Sequence, residues 1–311
     1  MPGKEMSPKL VIIPSTSGRR AEALHSLGDK IELAQLPGPT EELQDPDLSL
    51  VAQDKSRFAA DLLQGIVNAI SSNQMSEEEK SQFMVENINL LQVAIKILSH
   101  DRTFQIVGAD TQTSVPEEQS LRSGDFEMIS HGKPKDEAEV QRHFHNMNKL
   151  GASIYQVFSG SHIASYTPDY DMPIETRHTQ KITVHLRPEA VKFFASDKGF
   201  AHYQQVFTDF YRSEAYKQNN LQPIRPTNIS AGFSLPVFIQ EQAVEAVELD
   251  GKKIKLSEAN EEFLRKVIYA VAIGYSPVVL EQIFPGAYNF TIDNWHWLQE
   301  VVKEITANVK K

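Results

Sequence analysis

The sequence FQIVGADT, residues 104–111, predicts a short buried strand that ends at a glycine. The apolar run from Phe104 to Val107 is long enough for a strand and too short for a helix. Gly108 would let the backbone turn or allow a ligand to approach closely. Asp110 would then follow the end of the strand, which is where open α/β sheets bind their ligands. The alternative is that Asp110 only caps a turn.

A lysine-containing turn follows this strand at residues 131–134, which are HGKP. The next segment, DEAEVQRHFHNMNKL, has the apolar periodicity of a helix. Asp110 and Lys133 would therefore lie at the ends of consecutive elements, as in many polar sites. The alternative is that Lys133 is an ordinary surface lysine.

Composition excludes several classes of protein. The chain has 311 residues, 41% of them hydrophobic, which suits one large domain or two smaller ones. The net charge of −10 argues against a nucleic-acid-binding protein, although a few local basic residues could still bind a phosphate ligand. The lack of cysteine excludes disulfides and thiolate chemistry and is consistent with the cytoplasm. No apolar run is long enough for a signal peptide or a membrane span, so no membrane partner is expected.

The first strand is predicted at Lys9–Pro14, and a hydroxyl-rich loop follows it. This loop contains Ser15, Ser17, Arg19 and Arg20 and precedes an alanine- and leucine-rich helix. A helix N-terminus that follows a strand offers backbone N–H groups and a positive dipole end to an anion. Arginines destabilise that end of a helix, so their presence favours a polyphosphate ligand. The alternative is that both arginines are simply solvated.

A second strand is predicted at Lys30–Leu36, followed by the acidic pair Glu41-Glu42 and a long helix at Leu50–Ile70. Lys55 lies in the first turns of that helix, where a positive charge is again unfavourable. Another basic residue at a helix start strengthens the prediction of an anion site.

Three further local signals concern the rest of the chain. Ser76 and Glu79 form the pattern of a capping box, which predicts a helix through Leu98. Asp250-Gly251 lies between two apolar stretches and predicts a β-hairpin. Ser257 is predicted to begin a long helix.

Taken in order, these motifs resemble the Maf-like nucleotide pyrophosphatases, whose α/β fold is shared with the inosine-triphosphatase-like enzymes. The matching segments are PSTSGRR, SLG, TEE, VAQDKS, VGADT, HGKPKDEAE and YQVFSGSHIAS. They cover residues 9–57 and 101–165, and the match is loose after that.

The resemblance implies a role for each matching residue. Asp110 corresponds to the proton acceptor, and Thr111 to the residue that helps to select the base. Glu42, or alternatively Glu41, corresponds to the ligand of a divalent metal, Mg²⁺ or Mn²⁺. The residues that would bind the triphosphate are Ser15, Ser17, Arg19, Arg20, Lys55 and Lys133.

The sequence departs from the family pattern in its second half. Arg177–Ser196 resembles the family's next strand and helix, but a helical segment at about 200–218 then intervenes. In Asn228–Gln240 the family's Asp-Lys pair is replaced by Ile229-Ser230, and its glutamine position falls near Pro236 or Val237. Base recognition, and with it activity, is therefore an open question. The histidines, among them His162 and His185, lack the spacing of metal ligands and are interpreted as core or surface residues.

The predicted fold class is α/β, a twisted mixed sheet flanked by helices and similar to the Maf and inosine-triphosphatase folds. Residues 1–256 would form the nucleotide-binding domain, with helical insertions near 70–100 and 198–226. Residues 257–311 would form a helical extension packed on the same domain.

The leading hypothesis is a metal-dependent nucleoside triphosphate pyrophosphatase that acts on pyrimidine or modified nucleotides and releases a monophosphate and pyrophosphate. The family resemblance also implies a homodimer. The alternative is a Maf-like nucleotide-binding or protein-interaction module that is catalytically impaired. A protein that retains only the fold is a third option.

Overall fold

The structure is a computed structural model, and its description covers most of the chain. The described residues are 9–15, 20, 24, 31–41, 43, 45, 47–71, 75–116, 128–131, 137–210, 231–249, 251–283, 302–303 and 306–307.

The described residues contain strands and helices in mixed order. The strands are β1 (Lys9–Pro14), β2 (Ile31–Leu36), β3 (Phe104–Pro116), β4 (Met128–His131), β5 (Ile154–Tyr166), β6 (Ile174–Leu186), β7 (Val244–Leu249) and β8 (Lys252–Lys255). The helices are α1 (Leu48–Ser71), α2 (Glu77–Glu86), α3 (Ile88–Ser99), α4 (Glu137–Lys149), α5 (Pro188–Phe194), α6 (Asp197–Phe210), α7 (Ala231–Gln240), α8 (Glu261–Ile273) and α9 (Pro277–Ile283).

The strands form a mixed sheet in the order β2-β1-β3-β5-β6-β7-β8, and β4 pairs with β3. Strand β1 is parallel to β2 and β3, whereas β7 is antiparallel to β6 and β8. The predicted α/β class, with a mixed sheet flanked by helices, is confirmed. The finer prediction of a Maf-like fold stays a prediction, as does the division at residue 256.

The chain divides into two compact units. Unit 1 comprises Met1–Asp110 and Gly160–His178, and unit 2 comprises Thr111–Ser159 and Thr179–Lys311. Strands β3, β5 and β6 each contribute residues to both units.

The core of unit 1 lies between the parallel strands and helices α1 and α3. Strand β1 is buried on both faces, as expected for a β-branched run with parallel neighbours on both edges. The buried side chains in this core are Leu10, Ile12, Ala34, Leu36, Ala59, Leu63, Val93, Ile106 and Ala164.

The predicted helix from Ser76 through Leu98 is two helices, α2 and α3, separated at Asn87. The side-chain amide of Asn87 donates to the Phe83 carbonyl oxygen at 2.9 Å. An asparagine that bonds to nearby backbone in this way competes with the helical hydrogen-bond pattern, which accounts for the interruption.

The predicted capping box is confirmed at the start of α2. The Glu79 amide donates to Ser76 Oγ at 3.3 Å, and the Ser76 amide donates to Glu79 Oε2 at 2.8 Å. The hydrogen bond from the Ser76 backbone amide lowers the pKa of Glu79.

Replacing Ser76 with alanine is expected to open the first turn of α2, because the Glu79 amide loses its acceptor. Loss of an N-cap hydrogen bond is worth about 1 kcal/mol, so exchange of the Glu79 amide should rise about fivefold. Hydrogen exchange measured by NMR checks this. A matched Ser99→Ala variant, which removes only a hydroxyl at the end of α3, should leave the Glu79 amide unchanged.

The core of unit 2 is aromatic. Tyr203 is fully buried and contacts the rings of Phe144, Phe194 and Phe238. Its hydroxyl shares a 2.6 Å hydrogen bond with Ser234 Oγ, which satisfies the polar atom in an apolar setting. Burial raises the pKa of Tyr203.

The predicted hairpin at Asp250-Gly251 is confirmed by the antiparallel pairing of β7 and β8. Gly251 has a φ of 75°, a conformation that glycine adopts without strain. Strand β8 ends the strand order, and its lysines, Lys252, Lys253 and Lys255, are exposed.

The helix predicted from Ser257 begins later, at Glu261. Asn260 is its N-cap, with Oδ1 accepting from the Phe263 amide at 2.8 Å, and Ser257 lies in a 3-10 turn. Gly274 ends helix α8 with a left-handed φ of 70°. Of the predicted C-terminal helix, residues 302–303 and 306–307 are described, and they are helical.

Candidate functional site

The candidate site lies in unit 1 at the carboxyl ends of the parallel strands. The register pairs Leu10 with Phe104 and Ile12 with Ile106, and β1 ends at Pro14. If that register continues, Pro14 is level with Gly108, so Asp110 lies just beyond the end of β1. The carboxyl end of β1 therefore lies near Asp110, at the edge of the sheet where the sequence predicts a ligand site.

The prediction that β3 ends near Gly108 is wrong, because the strand continues to Pro116. Residues Thr113–Pro116 pair with β4, and this pairing keeps the chain extended past the glycine. Asp110 therefore lies within β3. It lies beyond the end of the neighbouring strand β1, but not at the end of its own strand.

Lys55 and Asp110 form a buried ion pair. Lys55 Nζ donates to Asp110 Oδ1 at 3.0 Å, and the two residues are 6% and 5% exposed. Removing two opposite charges from water is unfavourable, and their mutual attraction and hydrogen bonding offset this effect. A buried pair of this kind is weak evidence for stability, so a functional role has to be considered for it.

Two glycines allow helix α1 to approach the sheet closely enough to form this pair. A Cβ atom on Gly108 would overlap the Ala52 carbonyl oxygen, and one on Gly160 would overlap the backbone of Leu48. The first turns of α1 thus lie directly on the strand backbones, and Lys55 is carried to Asp110. The sequence predicts a turn or a close ligand at Gly108, whereas in the structure the strand continues through it and helix α1 is the group that approaches.

Arg20 lies beside the same strand. Its Nη1 donates to the Ala109 carbonyl oxygen at 2.9 Å. Ala109 lies beyond the level at which the neighbouring strand β1 ends. Arg20 and Lys55 therefore contact consecutive residues of β3, Arg20 at the Ala109 carbonyl oxygen and Lys55 at the Asp110 carboxylate. Two cations near the end of parallel strands are suited to binding a polyanion.

Helix α1 begins with a well-formed cap. Asp47 Oδ1 accepts hydrogen bonds from the Ser49 amide at 2.9 Å and from the Ser49 hydroxyl at 2.6 Å. The hydrogen bond from the Ser49 side chain lowers the pKa of Asp47. This N-cap fixes the start of the helix that carries Lys55.

The other predicted site residues are described only in part. Ser15 directly follows β1, and its carbonyl oxygen accepts from Gln35 Nε2 at 3.1 Å. Thr111 is half-buried and belongs to unit 2, although it follows Asp110 directly. The predicted residues outside the described part of the chain are Ser17, Arg19, Glu42 and Lys133.

No family model and no curated protein matches this chain. The resemblance to the Maf-like pyrophosphatases therefore depends on the ordered motifs, and the roles that it implies for individual residues stay predictions.

The segment that aligns with the family's base-recognition motif is a buried helix. Residues 231–240 form α7, which contains Pro236, and Leu235, Val237 and Phe238 are fully or almost fully buried. A glutamine position that falls near Val237 is therefore occupied by a core side chain. Gln242 follows the helix with a φ of 55°, which is uncommon for a residue other than glycine.

The described donors at the site are compatible with a cation that arrives with a phosphate ligand. Among the described residues there is no group of three or more potential ligands that would hold a metal alone. Mg²⁺ is commonly bound by one or two carboxylates together with substrate phosphates, so a single carboxylate from the protein could be enough. Glu42, the predicted metal ligand, lies outside the described residues.

The sequence analysis did not single out Gly160, which supports the site by letting α1 approach. The run of small residues Ser-Gly-Ser within β5 could have predicted this role, because glycine inside a strand often marks a close approach of another backbone. None of the helices in the described ranges is both long enough and apolar enough to cross a bilayer.

Proposed function

We propose that this protein is a metal-dependent nucleoside triphosphate pyrophosphatase. The observation that carries the proposal is the buried Lys55–Asp110 ion pair beside Arg20, at the carboxyl ends of the parallel strands. The order of motifs along the chain supports it independently. The lack of cysteine favours a reducing compartment such as the cytoplasm, and the family resemblance favours a homodimer.

The ion pair suggests how hydrolysis would proceed. An incoming triphosphate competes with Asp110 for the ammonium of Lys55, and Arg20 binds further phosphate oxygens. Asp110 then accepts a proton from water as the water oxygen bonds to the α-phosphorus. The bond from that phosphorus to the bridging oxygen breaks, and pyrophosphate leaves with the electron pair. A divalent cation, which Glu42 and the substrate phosphates would hold, would neutralise charge on the phosphate oxygens.

Replacing Asp110 with asparagine is expected to reduce pyrophosphate release about 100-fold or more, because the amide cannot accept the proton. The assay uses a panel of nucleoside triphosphates, with pyrimidine nucleotides expected to be best, in Mg²⁺ or Mn²⁺. Asp54→Asn, which removes a carboxylate one residue from Lys55, is the matched control and should retain activity. An Asp110→Asn protein as active as its parent would contradict the assigned role.

The alternative function is nucleotide binding without turnover. It is favoured by helix α7, because core residues replace the family's base-recognition positions. A thermal shift produced by nucleotide, combined with no pyrophosphate release from any nucleotide, would establish this alternative. Absence of both would indicate a protein that retains only the fold.

A further inference from the structure

His162 is a buried histidine for which the proposed function has no role. It lies in β5 two residues after Gly160, so both residues point to the sheet face that helix α1 covers. The exposed fraction of His162 is 0%, and neither ring nitrogen has a hydrogen-bond partner among the described residues. Since buried polar groups are normally hydrogen-bonded, this imidazole requires an explanation.

Glu175 on β6 is the acidic group next to His162. Its Oε2 is 3.6 Å from His162 Nε2, which is too long for a hydrogen bond but suitable for an ion pair. The same Oε2 accepts a 3.0 Å hydrogen bond from Gln53 and is 3.9 Å from Arg57 Nη2, and both residues belong to α1. One carboxylate oxygen thus connects the helix to β6 and also faces the histidine.

Burial and the charged groups around His162 shift the pKa of its ring in opposite directions. Burial is the largest influence and lowers the pKa of His162, and Arg57 and Arg177 lower it further. Glu175 acts in the opposite direction. On β3, the charged residue on the covered face is Asp110, which is paired with Lys55. The imidazole is therefore neutral at neutral pH.

We propose that His162 is a proton-operated switch for helix α1: its protonation in mildly acidic conditions draws Glu175 away from Gln53 and Arg57 and loosens the helix that carries Lys55. The proton comes from solvent and binds at Nε2, the ring atom nearest to Glu175. The new imidazolium then needs an acceptor, and Glu175 is the carboxylate within reach. The contacts that Glu175 makes with α1 in the neutral state are weakened as a result.

The sign of the pH dependence follows from the neutral folded form. An unfolded histidine has a pKa of about 6.5, so the unfolded chain binds the proton first as pH falls. The contribution of His162 to the free energy of unfolding is therefore complete above about pH 6.5 and declines below that value. Carboxylates with lowered pKa values, such as Asp47 and Glu32, act only at lower pH, so the two effects are separable.

Hydrogen exchange of the α1 amides between pH 7.5 and 5.5, corrected for intrinsic rates and measured without nucleotide, tests the switch. Protection in the first half of α1 should fall across this range, by at most about tenfold, because an exposed histidine with a pKa of about 6.5 is about ten times as often protonated as neutral at pH 5.5. His162→Leu should abolish the response. Glu175→Gln keeps an acceptor for Gln53 but removes the carboxylate that favours the imidazolium, so the pKa of the His162 ring, measured by NMR, should fall further below its ordinary value. His202→Gln, a surface histidine that pairs with Glu241 at 2.6 Å, should not alter it.

Two results would overturn the switch: a parent protein whose α1 protection does not change with pH, or a His162→Leu protein that keeps the full response. If His162→Leu does not fold, NMR titration of the His162 ring in the parent decides the question. A measured pKa at or above 6.5 would contradict the proposal. Because nucleotide takes no part in these measurements, their outcome is independent of the proposed enzymatic activity.

Discussion

Replacing Lys55 with methionine is expected to lower the free energy of unfolding by about 3–5 kcal/mol, because the buried Asp110 would lose the ammonium group that donates to it at 3.0 Å. Methionine keeps most of the aliphatic volume of lysine, so the loss of charge is the main change. Chemical denaturation followed by circular dichroism measures the effect. A loss below about 1 kcal/mol would mean that the ion pair does not form in solution as described.

A double variant separates stability from function at this pair. Replacing both partners, Lys55→Met with Asp110→Leu, removes both charges and should restore stability to near that of the parent. The same double variant should have no pyrophosphatase activity if the proposed function is correct. A stable double variant that still turns over nucleotide would confine the ion pair to a structural role.

Replacing Gly108 with alanine is expected to lower the free energy of unfolding by roughly 2–3 kcal/mol, since the added methyl overlaps the Ala52 carbonyl oxygen. Backbone atoms cannot move aside as a flexible side chain can, so helix α1 must shift away from β3. That shift would also lengthen the Lys55–Asp110 hydrogen bond. Nucleotide binding, measured by thermal shift, should weaken together with stability.

Gly65 provides the matched control in the same helix. It is exposed, and no described atom lies within 4 Å of a Cβ placed there. Gly65→Ala should stabilise the protein by about 0.5–1 kcal/mol, because alanine favours the helix and restricts the unfolded chain. If both glycine variants changed stability in the same direction, the close approach of α1 to β3 would be in doubt.

The sequence predicted correctly those elements that are determined by residues close together in the chain. Strand β1 was predicted with its observed bounds because KLVIIP is an uninterrupted apolar run closed by proline. The capping box at Ser76 and the hairpin at Gly251 depend on residues within three positions of each other. Sequence alone is informative about such features because the atoms that interact are neighbours in the chain.

The incorrect predictions concern features that depend on contacts which the local sequence pattern does not reveal. Gly108 has the same local signal whether it begins a turn or passes beneath a helix, and only the position of α1 distinguishes the two. Asn87 interrupts a helix through a side-chain hydrogen bond that periodicity does not reveal. The proximity of Lys55 and Asp110, 55 residues apart in sequence, was expected from the family resemblance alone and not from any local pattern.

The lysines of β8 have a consequence for the behaviour of the protein at high concentration. An outer strand has backbone groups that could pair with a strand of a second molecule, and such pairing leads to fibrils. Three ammonium groups on a four-residue strand make that pairing repulsive. Threonine substitutions at Lys252, Lys253 and Lys255, which are exposed, would therefore make the protein more prone to aggregate without disturbing its interior.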